Sequence, residues 1–144
     1  MYATPLYWYG MAAALKNYFD RMVCYLSASY PRYDAVAEQM VGKRVALLLS
    51  SEERYPGASL GVIAQLHEMS RYLHHDFVGV VNGIGNRRGE VRRDPANPLE
   101  AAHTLGRTLF EAHHSDYRLD TVRPNTVWPA GEAEPAPAGV WEDV

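Results

Sequence analysis

The sequence predicts an α/β fold built on a parallel sheet. Three observations carry that reading. The run Val45-Ala46-Leu47-Leu48-Leu49 is continuously apolar, as fits an interior parallel strand covered on both faces. The apolar period changes from strand-like to helical after Gly10. The alternation of strand and helix then occurs three times, which argues for a parallel sheet with right-handed crossovers.

Residues 2–6 read as the last part of a strand, because Pro5 disfavours the helical region for Thr4. Gly10 is expected to permit the turn that follows. From Met11 the residues Met11, Ala14, Leu15, Tyr18, Phe19, Met22, Val23 and Leu26 repeat at helical spacing and predict one buried face. Tyr30-Pro31-Arg32-Tyr33 is a loop, Asp34 can cap a short helical piece through Met40, and Gly42 closes it. Residues 43–49 form the second strand, bounded by Gly42 and by Ser50-Ser51. Tyr55-Pro56-Gly57 signals a turn. Residues 60–74 form the second long helix, with Leu60, Ile63, Ala64, Leu66, His67 and residues 70–73 toward the core. Residues 77–84 form the third strand, rich in β-branched Val78, Val80 and Val81. Asn97-Pro98-Leu99-Glu100 marks a helix start, with Asn as N-cap. Leu99, Ala102, Leu105, Gly106, Leu109 and Phe110 are its expected buried stripe.

A chain of 144 residues with 47% apolar content fits one domain with a modest core. Residues 1–116 make that domain, and the Pro/Ala-rich tail 117–144 is expected to be largely disordered, although Trp128 and Trp141 argue that some of it docks. A net charge of −3 points to neither nucleic acid nor a membrane surface as partner. The single Cys24 rules out an internal disulfide and an all-cysteine metal site, and reads as packing rather than nucleophile. Residues 1–15 are uncharged but lack a basic n-region, which argues against a signal peptide, and no stretch is long enough for a membrane span. A cytoplasmic location is the expectation.

The pattern Thr-Pro-Leu-Tyr-Trp-Tyr-Gly-Met-x-Ala-x-Leu-Lys-x-Tyr-Phe-Asp-Arg at residues 4–21 resembles the isoalloxazine-binding loop and next helix of flavodoxin-like NAD(P)H-dependent FMN reductases and quinone reductases. The resemblance continues to about His114. It implies a partial flavodoxin-like three-layer sandwich, with a parallel sheet missing the first two βα units of the family's 2-1-3-4-5 order. In that family the motif closes the third strand, and the loop that holds the FMN phosphate follows the first. That loop has no counterpart here. The first strand would then be an exposed edge, which tends to pair with something. The chain is therefore expected to be a fragment, a mis-started reading frame or an obligate partner of another chain.

The resemblance makes Thr4, Pro5, Leu6, Tyr7, Trp8, Tyr9 and Gly10 contacts of FMN, some through main chain. Ser50 and Ser51, with Glu52 and Glu53, would form the second flavin-facing loop. On the residues alone, the three rings read first as core or interface aromatics, and the serines can equally be a polar cap on the strand. Arg87, Arg88, Arg92 and Arg93 can meet the 2′-phosphate of NADPH or lie on a solvated loop. Glycines 83, 85 and 89 lack the spacing of a dinucleotide fingerprint. His74-His75 and His113-His114 end helices, where a cation interacts well with the dipole. No metal site and no catalytic side chain is expected.

The implied activity is an FMN-dependent NAD(P)H oxidoreductase that passes hydride through the flavin to a quinone, a flavin or another small acceptor, in a homo-oligomer. The alternative is a non-catalytic flavodoxin-like protein that acts only by association. A one-electron flavodoxin fits less well, because strong negative charge is lacking and the aromatic loop is reductase-like.

Overall fold

The computed structural model describes residues 1–27 and 29–112. The tail 117–144 and the pair His113-His114 lie outside the described residues.

The sheet has the order β2-β1-β3-β4, with β1 (Tyr2–Tyr7), β2 (Gly10–Met11), β3 (Arg44–Ser51) and β4 (Asp76–Ile84). β1 and β4 each pair parallel to β3, in the registers Thr4 with Leu49 and Leu47 with Val80. The parallel arrangement agrees with the sequence pattern. Interior strand β3 is apolar on both faces for the expected reason: Val45, Ala46, Leu47 and Leu49 are all buried. Among the described residues, β1 is paired on one side only over most of its length, since β2 reaches just Leu6 and Tyr7.

Two-residue β2 is a correction. Antiparallel pairing of Leu6 with Met11 and Tyr7 with Gly10 closes a hairpin where a plain loop was expected. The turn is not made by Gly10, which has no positive φ. Trp8 (φ 49°) and Tyr9 (φ 61°) take the left-handed conformation instead. Two central residues at positive φ are what a two-residue hairpin of the favoured twist requires, normally supplied by Asn-Gly.

One sheet face carries the main core. Val45, Leu47, Leu49 and Phe77 pack there with Phe19 of α1 (Ala13–Met22) and with Val62 and Leu66 of α3 (Leu60–Tyr72). Tyr2 meets Phe19 edge-on at 4.8 Å between ring centroids. Burial, and secondarily Tyr18, pushes the Tyr2 phenol up to about 12. The first helix is shorter than its periodicity implied: after Met22 it tightens into a 3-10 turn, Val23–Leu26, and Val23 is exposed. In α2 (Tyr33–Met40) the N-cap is Arg32, and Asp34 lies in the first turn, where a carboxylate suits the helix dipole. Gly42, at φ 72°, closes the segment and donates its N–H to the His74 carbonyl at 2.8 Å.

The other sheet face meets α4 (Pro98–Arg107), where Leu105 lies over Gly79. Asn97 stands at the N-cap position, but in the left-handed region and with no side-chain cap bond. Leu99, Phe110 and Leu60, all expected in the core, are exposed. Each lies at or beyond a helix end, where the periodic pattern persists and the packing partner does not. No helix among the described residues is long and apolar enough to cross a membrane.

Arg44 fastens the segment that follows α4 to the sheet. Its Nε donates to the Leu109 carbonyl at 2.7 Å, Nη2 donates to the Ala112 carbonyl, and Nη1 reaches the Asp76 carboxylate at 3.4 Å. The planar fork holds two carbonyls of the segment that follows α4 in fixed directions, which a single ammonium point does less well. Arg44→Met should lower unfolding stability by about 1–3 kcal/mol in urea titration, and Arg44→Lys should recover only part of it.

His75 does not take the cationic role expected of it. Both ring nitrogens are buried, with no hydrogen-bond partner among the described residues. Burial first, then the Lys43 charge, lowers its pKa below the ordinary 6.5, with Asp76 opposing. The folded state therefore binds fewer protons than the unfolded state as pH falls through 6.5. Stability should be full above that pH and decline below it, and His75→Leu should flatten the decline in denaturation midpoints measured from pH 7.5 to 5.

Candidate functional site

β1 and β3 run parallel with Pro5 beside Ser50, so their carboxyl ends share one rim of the sheet. The aromatic hairpin leaves β1 there, and residues 51–59 leave β3 there. Ligands of parallel α/β sheets bind at this rim. A cleft of about 440 Å³ opens between the two loops. Leu6, Tyr7, Trp8 and Tyr9 line it from the hairpin, and Ser51, Glu52 and Glu53 from the second loop.

Exposure tells the rings apart from core residues. Trp8 is 97% exposed, Tyr7 63% and Tyr9 59%. The reading of these rings as core aromatics is set aside by that exposure. The Tyr9 hydroxyl bridges the cleft and donates to Glu53 Oε1 at 3.5 Å. The Tyr9 carbonyl lies over the start of α3, 3.5 Å from where a Cβ on Gly61 would stand. Among the described residues, the Trp8 and Tyr9 amides donate to no backbone carbonyl, as befits the tip of a two-residue turn.

The other expected site residues divide. Thr4 is 4% exposed, and its hydroxyl is occupied: Oγ1 accepts the Ala12 N–H at 2.9 Å and donates to the Pro5 carbonyl at 2.9 Å. It thus ties the returning chain to β1 just before α1. Thr4, Pro5 and Gly10 do not line the cleft. Ser51 lines it and is buried, with Oγ directed to the Glu53 carbonyl at 3.2 Å and to Asn82 Oδ1 at 3.5 Å, whereas Ser50 is exposed and outside it.

A flat heteroaromatic ring with carbonyl and imide edges fits these surroundings. Aromatic and apolar side chains supply a wall and the turn amides supply donors, while the Ser51 hydroxyl, its hydrogen directed within the protein, can offer only an acceptor. A phosphate fits the cleft poorly. Among the described residues, the only charged groups lining it are the carboxylates of Glu52 and Glu53.

A second cleft, of about 710 Å³, lies along the same rim between the loops after β3 and β4, and shares Glu52 with the first. Sequence reasoning found Arg93 but missed Arg54 and Asp94. The Asp94 carboxylate accepts the Ile84 N–H at 2.7 Å and the Ala96 N–H at 2.9 Å. Those backbone donors, Ile84 first, hold it below the usual carboxylate range. The Asp94-Pro95 pair was the available signal, since Asp bonding two residues ahead is a turn former.

The hairpin conformation stores strain. Each L-residue held in the left-handed region costs on the order of 1 kcal/mol. Replacing Trp8 by Asn and Tyr9 by Gly should raise unfolding stability by about 1–2 kcal/mol in chemical denaturation, because the new pair prefers this turn.

The comparisons agree with this geometry. The profile of a family described as having the flavodoxin-like fold matches residues 1–105. A Bacillus subtilis (strain 168) protein named as an NAD(P)H-dependent FMN-containing oxidoreductase, YwqN, is 31% identical over 108 residues, covering 75% of this chain and 59% of that protein. The solved structure of the Trp repressor binding protein from Bacillus subtilis superposes with a TM-score of 0.61 at 28% identity, over 74% of this chain and 59% of that one. The chain thus spans under two thirds of the length of either relative. With its parallel β1-β3-β4 order, its rim cleft and this match over residues 1–105, the chain belongs to the flavodoxin-like fold family.

Proposed function

We propose that this chain binds the isoalloxazine ring of FMN between the aromatic hairpin and residues 51–53, and serves an NAD(P)H-dependent oxidoreductase. The observation that carries the reading is the exposed aromatic hairpin set across a cleft from the Ser51 loop, at the carboxyl ends of two parallel strands. The likeness to an NAD(P)H-dependent FMN-containing oxidoreductase supports it.

FMN, when bound, supplies the hydride chemistry, taking two electrons from the nicotinamide and giving them to a small acceptor such as a quinone or a second flavin. The chain's own residues bind and orient. Tyr7, Trp8 and Tyr9 offer ring faces, and the Trp8 and Tyr9 amides offer donors to a carbonyl edge. The Tyr9–Glu53 contact holds the hairpin against the second loop. Both carboxylates oppose accumulation of negative charge in the cleft, so they disfavour the anionic reduced ring relative to the oxidised one. Under this reading a second copy of the chain is the proposed partner, since most of β1 has one edge unpaired among the described residues.

A second reading, association without catalysis, is favoured by one observation: the ring cleft offers no cation to a phosphate. The two readings separate in one titration. Adding the purified chain to FMN should quench flavin fluorescence and shift the visible spectrum. Trp8→Leu should weaken that binding about tenfold, the scale of a lost ring–ring contact. Unquenched flavin and a colourless protein would remove the enzyme reading.

A further inference from the structure

The hairpin cleft combines ring surface with negative charge. Trp8 is almost wholly exposed and Tyr7 and Tyr9 more than half, and Glu52 and Glu53 line the same cleft. Neither carboxylate forms an ion pair among the described residues, and the Tyr9 hydroxyl holds Glu53 beside the hairpin. The next cleft along the rim does not offset this charge. It shares Glu52 and sets Glu90 and Asp94 against Arg54 and Arg93. Backbone amides bond to Glu90 and Asp94 but leave their charge in place. Over both clefts, four carboxylates meet two guanidinium groups among the described residues. Of the four loop arginines read as phosphate contacts, Arg87, Arg88 and Arg92 line neither cleft.

We propose that Glu52 and Glu53 determine which acceptor this cleft serves: planar rings that are neutral or cationic are taken, and rings bearing an anionic group are turned away. The inference rests on the FMN reading and narrows its acceptor. A cation over an aromatic face is attracted by the ring quadrupole, and an anion is not. The two carboxylates strengthen both tendencies. They are exposed, so the preference is greatest at low ionic strength and fades as salt screens it. The selection acts on charge carried by the reacting ring itself; NADPH carries its phosphates away from its nicotinamide. Two electrons and one proton reach the acceptor as a hydride from NADPH, passed through the flavin. A neutral quinone takes that hydride with a second proton from water and leaves as the quinol. A cationic ring takes the hydride alone and leaves neutral.

The test uses the full chain with FMN and NADPH. Three acceptors are compared: menadione, menadione carrying a sulfonate on its benzo ring, and the planar cation methylene blue. The double variant Glu52→Gln with Glu53→Gln removes both charges and keeps an acceptor for the Tyr9 hydroxyl, and a thermal melt checks that it folds. At low salt the variant should raise kcat/KM for the sulfonate, relative to menadione, about tenfold through KM, and lower it for methylene blue by a similar factor. Taking ratios between acceptors cancels any change in flavin affinity or potential that all three share. Glu38→Gln with Glu111→Gln removes the same charge outside both clefts and should leave the ratios unchanged. Ratios that do not move in an active Glu52, Glu53 variant, or that move equally in the Glu38, Glu111 variant, overturn the proposal and leave the flavin reading standing. A second arm needs no turnover: N-methylquinolinium and naphthalene sulfonate are titrated calorimetrically into the flavin-free chain and into the double variant. The cation should bind more tightly than the anion, and the variant should lose about tenfold of that preference. If the chain neither binds FMN nor oxidises NADPH, the flavin reading fails, and this titration alone decides whether the cleft selects by charge: no binding of either ion, or a preference that the variant keeps, overturns it.

Discussion

Parallel pairing of β3 on both its edges is the constraint from which the rest follows. A strand buried in this way must be apolar on both faces, and the run Val45 to Leu49 meets that demand with no polar residue. Because β1 and β4 run in the same direction as β3, all three strands end at one rim. Two loops leave that rim beside each gap between strands. Each gap is a cleft, one bounded by the aromatic hairpin and one by the arginine loop. The position of both clefts is therefore a result of strand direction, and their chemistry a result of which loop residues the strands deliver.

The two clefts differ in how their loops are held. The hairpin keeps two bulky residues in a conformation that favours Asn and Gly; the β1–β2 pairing closes it, and the contact to Glu53 and the seat over α3 steady its tip. The β4 loop is secured by carboxylate clamps, Asp94 and Glu90 each taking two backbone amides. One loop is steadied by a contact across a gap, the other by its own carboxylates closing on its own amides.

Much of this was legible in the sequence, and the parts that were not have physical reasons. The continuous apolar run of β3 and the helical period after residue 11 encode burial directly, so three strands, their direction and the main helices could be read. The short β2 could not, since two residues carry no period. The left-handed Trp8 and Tyr9 contradict local preference, and tertiary packing overrode it. Helix ends were read too long at Leu99 and Phe110, because apolar spacing continues past the point where a packing partner exists. In the site, the ring residues were legible from the family-like motif at residues 4–21. Arg54 was not: it carries no pattern, and only its place beside Arg93 gives it meaning.

Gly85 shows how a loop can be specified by an atom that is not there. A Cβ at this position would stand 2.7 Å from the Val91 nitrogen and 3.0 Å from the Glu90 carbonyl carbon, both main-chain atoms that no rotamer change can move aside. Even alanine would have to push the whole 3-10 turn off the end of β4, and Arg93 would travel with it. Sequence drift at this point is thus closed in every direction. The turn can exchange its arginines and keep its shape, but any gain of bulk at residue 85 would rewrite the rim as a whole.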